Sequence, residues 1–135
     1  MSFSPNGIPP RLNGLECDEL ICQQYWQDGK LNKAVDVLYI KSHGRWSQLY
    51  FEDCMIFWRS QEQGPVPYQQ QENDPFKYPL LDLGNKYQLK GEVVADCETV
   101  PIVNGVKVNL LFERGDKLVI SCVDNETAIQ YVKAS

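Results

Sequence analysis

The side chains that could act as nucleophiles, proton carriers or metal ligands are few: one histidine, His43, and five cysteines. The cysteines are Cys17, Cys22, Cys54, Cys97 and Cys122. No two of them form a CxxC pair, and a zinc site needs clustered thiolate or imidazole ligands. The sequence therefore predicts no metal and no cofactor. The odd number of cysteines favours reduced thiols that pack as small hydrophobic side chains.

Motifs typical of enzymes are also missing. The sequence contains no GxSxG nucleophile elbow, no GxxxxGK[ST] phosphate loop and no HExxH zinc motif. The adjacent carboxylates Glu52 and Asp53 would point to opposite faces of a strand, so they fit a solvated turn better than a catalytic pair. We therefore expect a protein that is not an enzyme.

Composition and charge restrict the partners and the location. The chain has 135 residues, of which 43% are hydrophobic, which suits one folded domain. A net charge of −5 disfavours nucleic acid as a partner. No run approaches the roughly 18 apolar residues that cross a bilayer. The N-terminus also lacks the charged start and apolar core of a signal peptide. We expect a cytoplasmic protein, with a peripheral position at membranes as the alternative.

Runs of aromatic and branched residues predict three consecutive strands, at residues 34–41, 45–51 and 55–59. Short polar segments join them, so the three form an antiparallel meander. Similar patterns predict four more strands and bring the count to seven. These strands are at residues 78–83, 87–94, 106–112 and 117–123.

Two helices are predicted beside the strands. Residues 15–27 carry Leu20, Tyr25 and Trp26 at helix-compatible spacings, after acidic residues in the first turn. Residues 124–135 read as a second, capped helix. The first helix either packs on its own domain or docks a partner or a second copy of the chain. In the docking case Leu20, Tyr25 and Trp26 are the candidate contact residues, and a homodimer would form there.

The domain division follows from these elements. Residues 1–14 are rich in proline and glycine and predict a flexible arm. Residues 15–33 hold the first helix and a linker, and residues 34–135 form the main domain. A glutamine- and proline-rich loop spans about residues 61–77 and offers Tyr68 to a partner.

The order of these elements resembles a known family. A strand ends at Lys41, a loop holds Gly44, and Trp46 opens a strand that is followed by a hydrophobic third strand. This pattern is similar to the opening of a pleckstrin-homology domain, and the resemblance covers residues 34–135. It implies a seven-stranded antiparallel barrel of two nearly orthogonal sheets, closed by the C-terminal helix.

The same resemblance implies what the protein does. We expect a non-catalytic interaction module within a larger signalling, trafficking or cytoskeletal protein. Its partners would be other proteins or other domains of the same polypeptide. A further hypothesis is that the protein is a relative with the same barrel that binds phosphotyrosine or proline motifs, through an aromatic groove or an open sheet edge.

The resemblance also implies a phosphoinositide site at the loop between the first two strands. Family members that bind strongly carry a Lys at the end of the first strand, a cation after the Trp of the second strand, and an Arg two residues later. Here Lys41 keeps the first position, but Ser47 and Leu49 occupy the other two. The alternative function is membrane targeting through an atypical site at Lys41, His43 and Arg45. With a net charge of −5, we expect such lipid binding to be weak.

We expect five large apolar side chains of the predicted strands to lie inside the barrel or to line its closing edge. They are Trp46, Phe51, Ile56, Leu118 and Ile120.

Overall fold

The computed structural model describes residues 6–134, which form ten strands and one single-turn helix. The helix, α1, spans Leu83–Lys86 between the sixth and seventh strands. The strands are β1 Glu19–Gln27, β2 Lys30–Ser42, β3 Arg45–Glu52, β4 Met55–Gln61, β5 Phe76–Lys77, β6 Leu80–Asp82, β7 Val94–Ile102, β8 Gly105–Phe112, β9 Lys117–Val123 and β10 Glu126–Val132.

The strands form two antiparallel sheets with one hydrophobic core. The first sheet has the order β4-β3-β2-β1, and β5 and β6 both pair with β1 at its far edge. The second sheet has the order β10-β9-β8-β7. Apolar side chains of both sheets belong to one buried cluster, in which Leu49, Trp58 and Leu110 are almost completely buried. Val35 of β2 donates its backbone N–H to the Thr127 hydroxyl of β10, which ties the two sheets together.

Two-residue turns set the register of most hairpins. Both central residues have positive φ in each of four turns, the pattern of type I′ turns, whose twist matches that of the flanking strands. Asp, Asn, Gly and His tolerate this conformation better than most residues. The four turns are Asp28–Gly29, His43–Gly44, Asp53–Cys54 and Asp124–Asn125.

The predicted central meander is confirmed, because β2, β3 and β4 cover residues 34–41, 45–51 and 55–59. The strands at residues 106–112 and 117–123 also form, as β8 and β9. The predicted core residues Trp46, Phe51, Ile56, Leu118 and Ile120 are all buried.

The predicted fold class is wrong, although the protein is mainly β with two antiparallel sheets. Within residues 6–134 the only helix is α1, so the barrel with a closing C-terminal helix and an additional N-terminal helix does not form. Ten strands replace the predicted seven. Residues 87–91 make turns where a strand was predicted, and β7, which contains Pro101 and two acidic residues, was not anticipated.

The first predicted helix is the strand β1. Leu20 and Cys22 are fully buried while Ile21 and Gln23 are partly exposed, which is the alternation of a strand. Asp28–Gly29 does not stop a helix there; it is the turn that returns the chain into β2. A docking helix at residues 15–27 therefore does not exist.

The second predicted helix is the strand β10. The turn Asp124–Asn125, which resembles a helix cap, joins β9 to β10. Thr127, Ile129 and Tyr131 are half-buried along this strand, and the residues between them are exposed.

Two of the five cysteines are not reduced. Cys54, in the β3–β4 turn, and Cys122, in β9, form a disulfide with their Cα atoms 5.4 Å apart, so it joins the two sheets covalently. Cys17, Cys22 and Cys97 are free thiols. Burial raises the pKa of each free thiol to about 12, so each stays protonated at neutral pH.

None of the helical structure within residues 6–134 is long and apolar enough to span a membrane.

Candidate anion-binding cavity

The N-terminal arm, defined here as residues 6–15, is held to both sheets by backbone hydrogen bonds. The Asn6 N–H donates to the Ile56 carbonyl at 2.7 Å, and the Trp58 N–H donates to the Asn6 carbonyl at 2.8 Å. At the other end the Gly14 N–H donates to the Val94 carbonyl at 2.7 Å. The arm thus runs from the edge strand β4 to β7.

Gly7 is needed where the arm leaves β4. Its φ is +89°, and an added Cβ would overlap the carbonyl oxygen of Trp58. Only glycine combines this backbone conformation with so close an approach.

A cavity of about 500 Å³ lies between the arm and one end of the first sheet. One wall consists of arm residues and is apolar apart from Arg11. The other wall is polar, and it is formed by the β2–β3 turn, the start of β3 and the end of β4. The residues of this second wall are Ser42, His43, Arg45, Ser47, Arg59 and Ser60. Arg59 alternates with Ser60 along β4, so its side chain leaves the strand on the other face of the sheet, where its guanidinium lies 5.6 Å from the centre of the Phe57 ring.

The register of the first sheet places this polar wall. Along β3, buried Phe51 and Leu49 are followed on the same face by Ser47 and Arg45. Along β4, buried Trp58 is followed on that face by Ser60, which pairs with Ser47. The apolar inner face thus becomes polar at this end. The Arg45 Nη2 donates to the Ser60 hydroxyl at 3.2 Å.

Arginine is concentrated at this cavity. Three of the chain's four arginines, Arg11, Arg45 and Arg59, line it together with the only histidine, His43. No carboxylate belongs to the lining formed by the described residues. None of these three arginines forms an ion pair within residues 6–134. In a chain with a net charge of −5, the cavity is therefore a local concentration of positive charge.

The fourth arginine, Arg114, shows the contrasting arrangement. Its guanidinium contacts Asp116 at 2.6 Å and Glu92 at 3.1 Å. The hydrogen bonds from Arg114, and one from Tyr131, hold the pKa of the buried Asp116 carboxyl down to about 2. Arg114 is thus neutralised by neighbouring carboxylates within the fold.

The guanidinium of Arg59 is held in place by neutral acceptors. Its Nη1 donates to the carbonyls of Trp58 at 2.7 Å and of Asn6 at 3.3 Å, and its Nη2 donates to the Asn6 Oδ1 at 2.8 Å. These bonds and the cation–π contact with Phe57 orient the group, and no carboxylate among residues 6–134 neutralises its charge. Its remaining N–H groups are available to a ligand.

The structure divides the predicted phosphoinositide residues. His43 and Arg45 line the cavity, as does Ser47. Lys41 does not; it pairs with Glu19 at 3.8 Å and lies 5.8 Å from the centre of the Trp46 ring. Leu49, which occupies a cationic position of the resembled family, is completely buried.

Sequence reasoning missed Arg11 and Arg59. They are 48 positions apart along the chain, and the arm brings them to one cavity.

A second cavity borders the other side of His43 and includes Glu16 and Asp18. His43 therefore stands between two cavities, one lined by arginines and the other by carboxylates.

The predicted partner-binding residues are also separated. Leu20 is completely buried and cannot contact a partner. Trp26 is half-buried, with Lys77 over its ring at 5.6 Å. Tyr25 and Tyr68 each lie with their ring centroid 5.1 Å from that of Tyr78. Phe76 completes the group, which we call the aromatic surface: Tyr25, Tyr68, Phe76 and Tyr78.

Among residues 6–134, no group of three His, Cys, Asp or Glu side chains is arranged to hold a metal ion.

Comparisons of the chain with protein-family models, with curated proteins and with solved structures found no match.

Proposed function

We propose that this protein is a non-catalytic binding module, and that its ligand presents an anionic group to the cavity. The observation that carries this proposal is that Arg11, Arg45 and Arg59 line one cavity and have no carboxylate partner among residues 6–134. The anionic group is a phosphate, a sulfate or a carboxylate. Guanidinium groups bind all three through paired, charge-assisted hydrogen bonds.

The polar wall supplies further donors for such a group. Ser47 and Ser60 lie opposite each other at the wall, and their hydroxyls can donate to a bound oxygen. The oriented guanidinium of Arg59 loses little freedom when it binds, which favours affinity. The free thiols support a non-catalytic role, since their raised pKa values disfavour the nucleophilic thiolate.

The proposal is tested by titrating the protein with inorganic phosphate at about 20 mM ionic strength, where screening is weak. Backbone amide chemical shifts report the affinity. We expect saturable binding, and we expect Arg45→Ala to weaken it about tenfold or more, because one hydrogen bond to a charged group contributes about 1.5–3 kcal/mol.

The matched control is Lys41→Ala. Lys41 is a neighbouring cation that pairs with Glu19 outside the cavity, so its removal should change the affinity less than about twofold. If Arg45→Ala and Lys41→Ala reduce the phosphate affinity equally, then only the general positive charge near the β2–β3 turn attracts phosphate, and the proposal is wrong.

A second candidate function is protein binding at the aromatic surface. It is favoured by the meeting of Tyr25 and Tyr68 around Tyr78, and by Val66, an exposed apolar residue in the same loop. Tyrosine is enriched at protein interfaces because it combines apolar area with a polar hydroxyl. We expect a photo-crosslinking residue at position 68, but not one at the exposed Val103, to capture a defined protein. Capture that persists unchanged after Tyr25→Ala would argue against this surface.

A further inference from the structure

We infer that the ligand of the cavity is a small amphiphile with an anionic head and an aliphatic chain. This inference rests on the proposed function and names its ligand class. The head would bind the polar wall, and the chain would lie along the arm. The evidence is the arrangement of the two walls, the apolar area that the arm leaves uncovered, and the size of the space between them.

The arm contributes a wall that is apolar except at Arg11. Ile8, Pro9, Pro10, Leu12 and Leu15 all line the cavity. Leu12 is buried in the core and anchors this wall, whereas Leu15 is half-buried and Ile8 is 90% exposed. Ile8, together with the half-buried Pro10 and Leu15, therefore exposes apolar surface to water. An aliphatic chain bound along the arm would cover this surface.

The opposite wall excludes a purely apolar ligand. An uncharged molecule that covered the guanidinium groups of Arg45 and Arg59 would remove water from them without supplying a negative charge in return. A bare phosphate or a sugar phosphate satisfies these groups but leaves the apolar wall in water. A ligand with a charged head and an aliphatic chain satisfies both walls.

The size of the cavity fits a single small molecule. About 500 Å³ lies in the range of small-ligand sites, roughly 300–1,000 Å³. The arm is hydrogen-bonded to β4 at one end and to β7 at the other, which fixes the apolar wall in place.

An anionic head with an aliphatic chain also occurs in the lipids of a bilayer, but the net charge of −5 opposes approach to an anionic membrane. We therefore infer a free amphiphile.

A series of monoalkyl phosphates with four, six and eight carbons, each kept below its micelle concentration, tests the inference against inorganic phosphate. Full burial of a methylene contributes about 0.8 kcal/mol, or about fourfold in affinity, and half burial about twofold. We expect the affinity to rise about two- to fourfold per methylene, and octanol, which lacks the anionic head, to bind far more weakly than octyl phosphate.

Two exposed residues provide matched variants. Ile8→Ser should reduce the gain per methylene, because it removes the most exposed part of the apolar wall. Val103→Ser, in the β7–β8 turn away from the cavity lining, should leave it unchanged. Both side chains are more than four-fifths exposed, so neither change should disturb folding.

The outcomes separate this inference from the proposed function. If inorganic phosphate and all alkyl phosphates bind equally, the amphiphile inference is wrong and anion binding stands. If no phosphate binds, the proposed function itself is wrong. If vesicles that contain phosphatidic acid bind while the monomeric alkyl phosphates do not, the ligand is a membrane lipid, and the inference of a free amphiphile is overturned.

Discussion

Reduction of the Cys54–Cys122 disulfide should lower the free energy of unfolding by about 2–4 kcal/mol. The two cysteines are 68 positions apart, so the bond restricts a long loop of the unfolded chain. It also joins the β3–β4 turn of the first sheet to β9 of the second. Urea unfolding with and without a thiol reductant measures the effect.

The Cys122→Ala variant is the control for this measurement. Without the disulfide, the variant should unfold at the same urea concentration whether or not the reductant is present. If the reductant leaves the wild type unchanged, the disulfide does not form in solution. A lasting disulfide is typical of oxidising compartments, so the same measurement bears on the cytoplasmic location expected from the sequence.

Replacing Ile120 with alanine should lower the free energy of unfolding by about 2–5 kcal/mol, which is typical for truncating a buried aliphatic side chain. Ile120 is completely buried and pairs with Val108 on one side and Ile129 on the other, at the centre of the second sheet. The surrounding strands are fixed by their neighbours, so the site cannot collapse fully around the missing atoms.

The comparison for Ile120→Ala is Tyr68→Ala in the long loop. Tyr68 is 41% exposed, so its truncation should cost less than about 1 kcal/mol. Urea unfolding of both variants against the wild type gives the two values. Similar losses would mean that the long loop contributes to the core as much as β9 does.

The parts of the fold that the sequence predicted are those with regular alternation, or with runs of large apolar residues joined by tight turns. In β8 and β9 apolar residues recur at every second position, whereas β3 and β4 are rich in aromatic and aliphatic residues on both sides of a two-residue turn. Local sequence is enough in such strands, because the pattern and the turn chemistry agree.

The two false helices have separate physical causes. In β1, register shifts between Gln23 and Tyr25 and between Tyr25 and Trp26 interrupt the alternation, and the apolar residues then fall at helix-compatible spacings. At Asp124–Asn125, residues that suit a helix cap also suit a type I′ turn with positive φ. Pairing with β9 decides between them, and that pairing cannot be read from the segment alone.

The candidate site was predictable only in part. His43 and Arg45 could be named because they lie in and directly after the β2–β3 turn, where the resembled family has its phosphoinositide site. Arg11 and Arg59 reach the same cavity only because the arm folds back onto β4 through Asn6. No local pattern signals such a contact. The uneven use of arginine, three of four at one cavity, becomes visible only in the folded chain.

The most direct test of anion binding is a titration with inorganic phosphate, followed through the Nε–Hε resonances of the four arginines. We predict saturable shifts for Arg11, Arg45 and Arg59, with one shared dissociation constant. Arg114, which Glu92 and Asp116 neutralise, should not shift and serves as the internal reference. Equal, non-saturating shifts of all four resonances would contradict the account, because they would show that phosphate acts only as bulk salt.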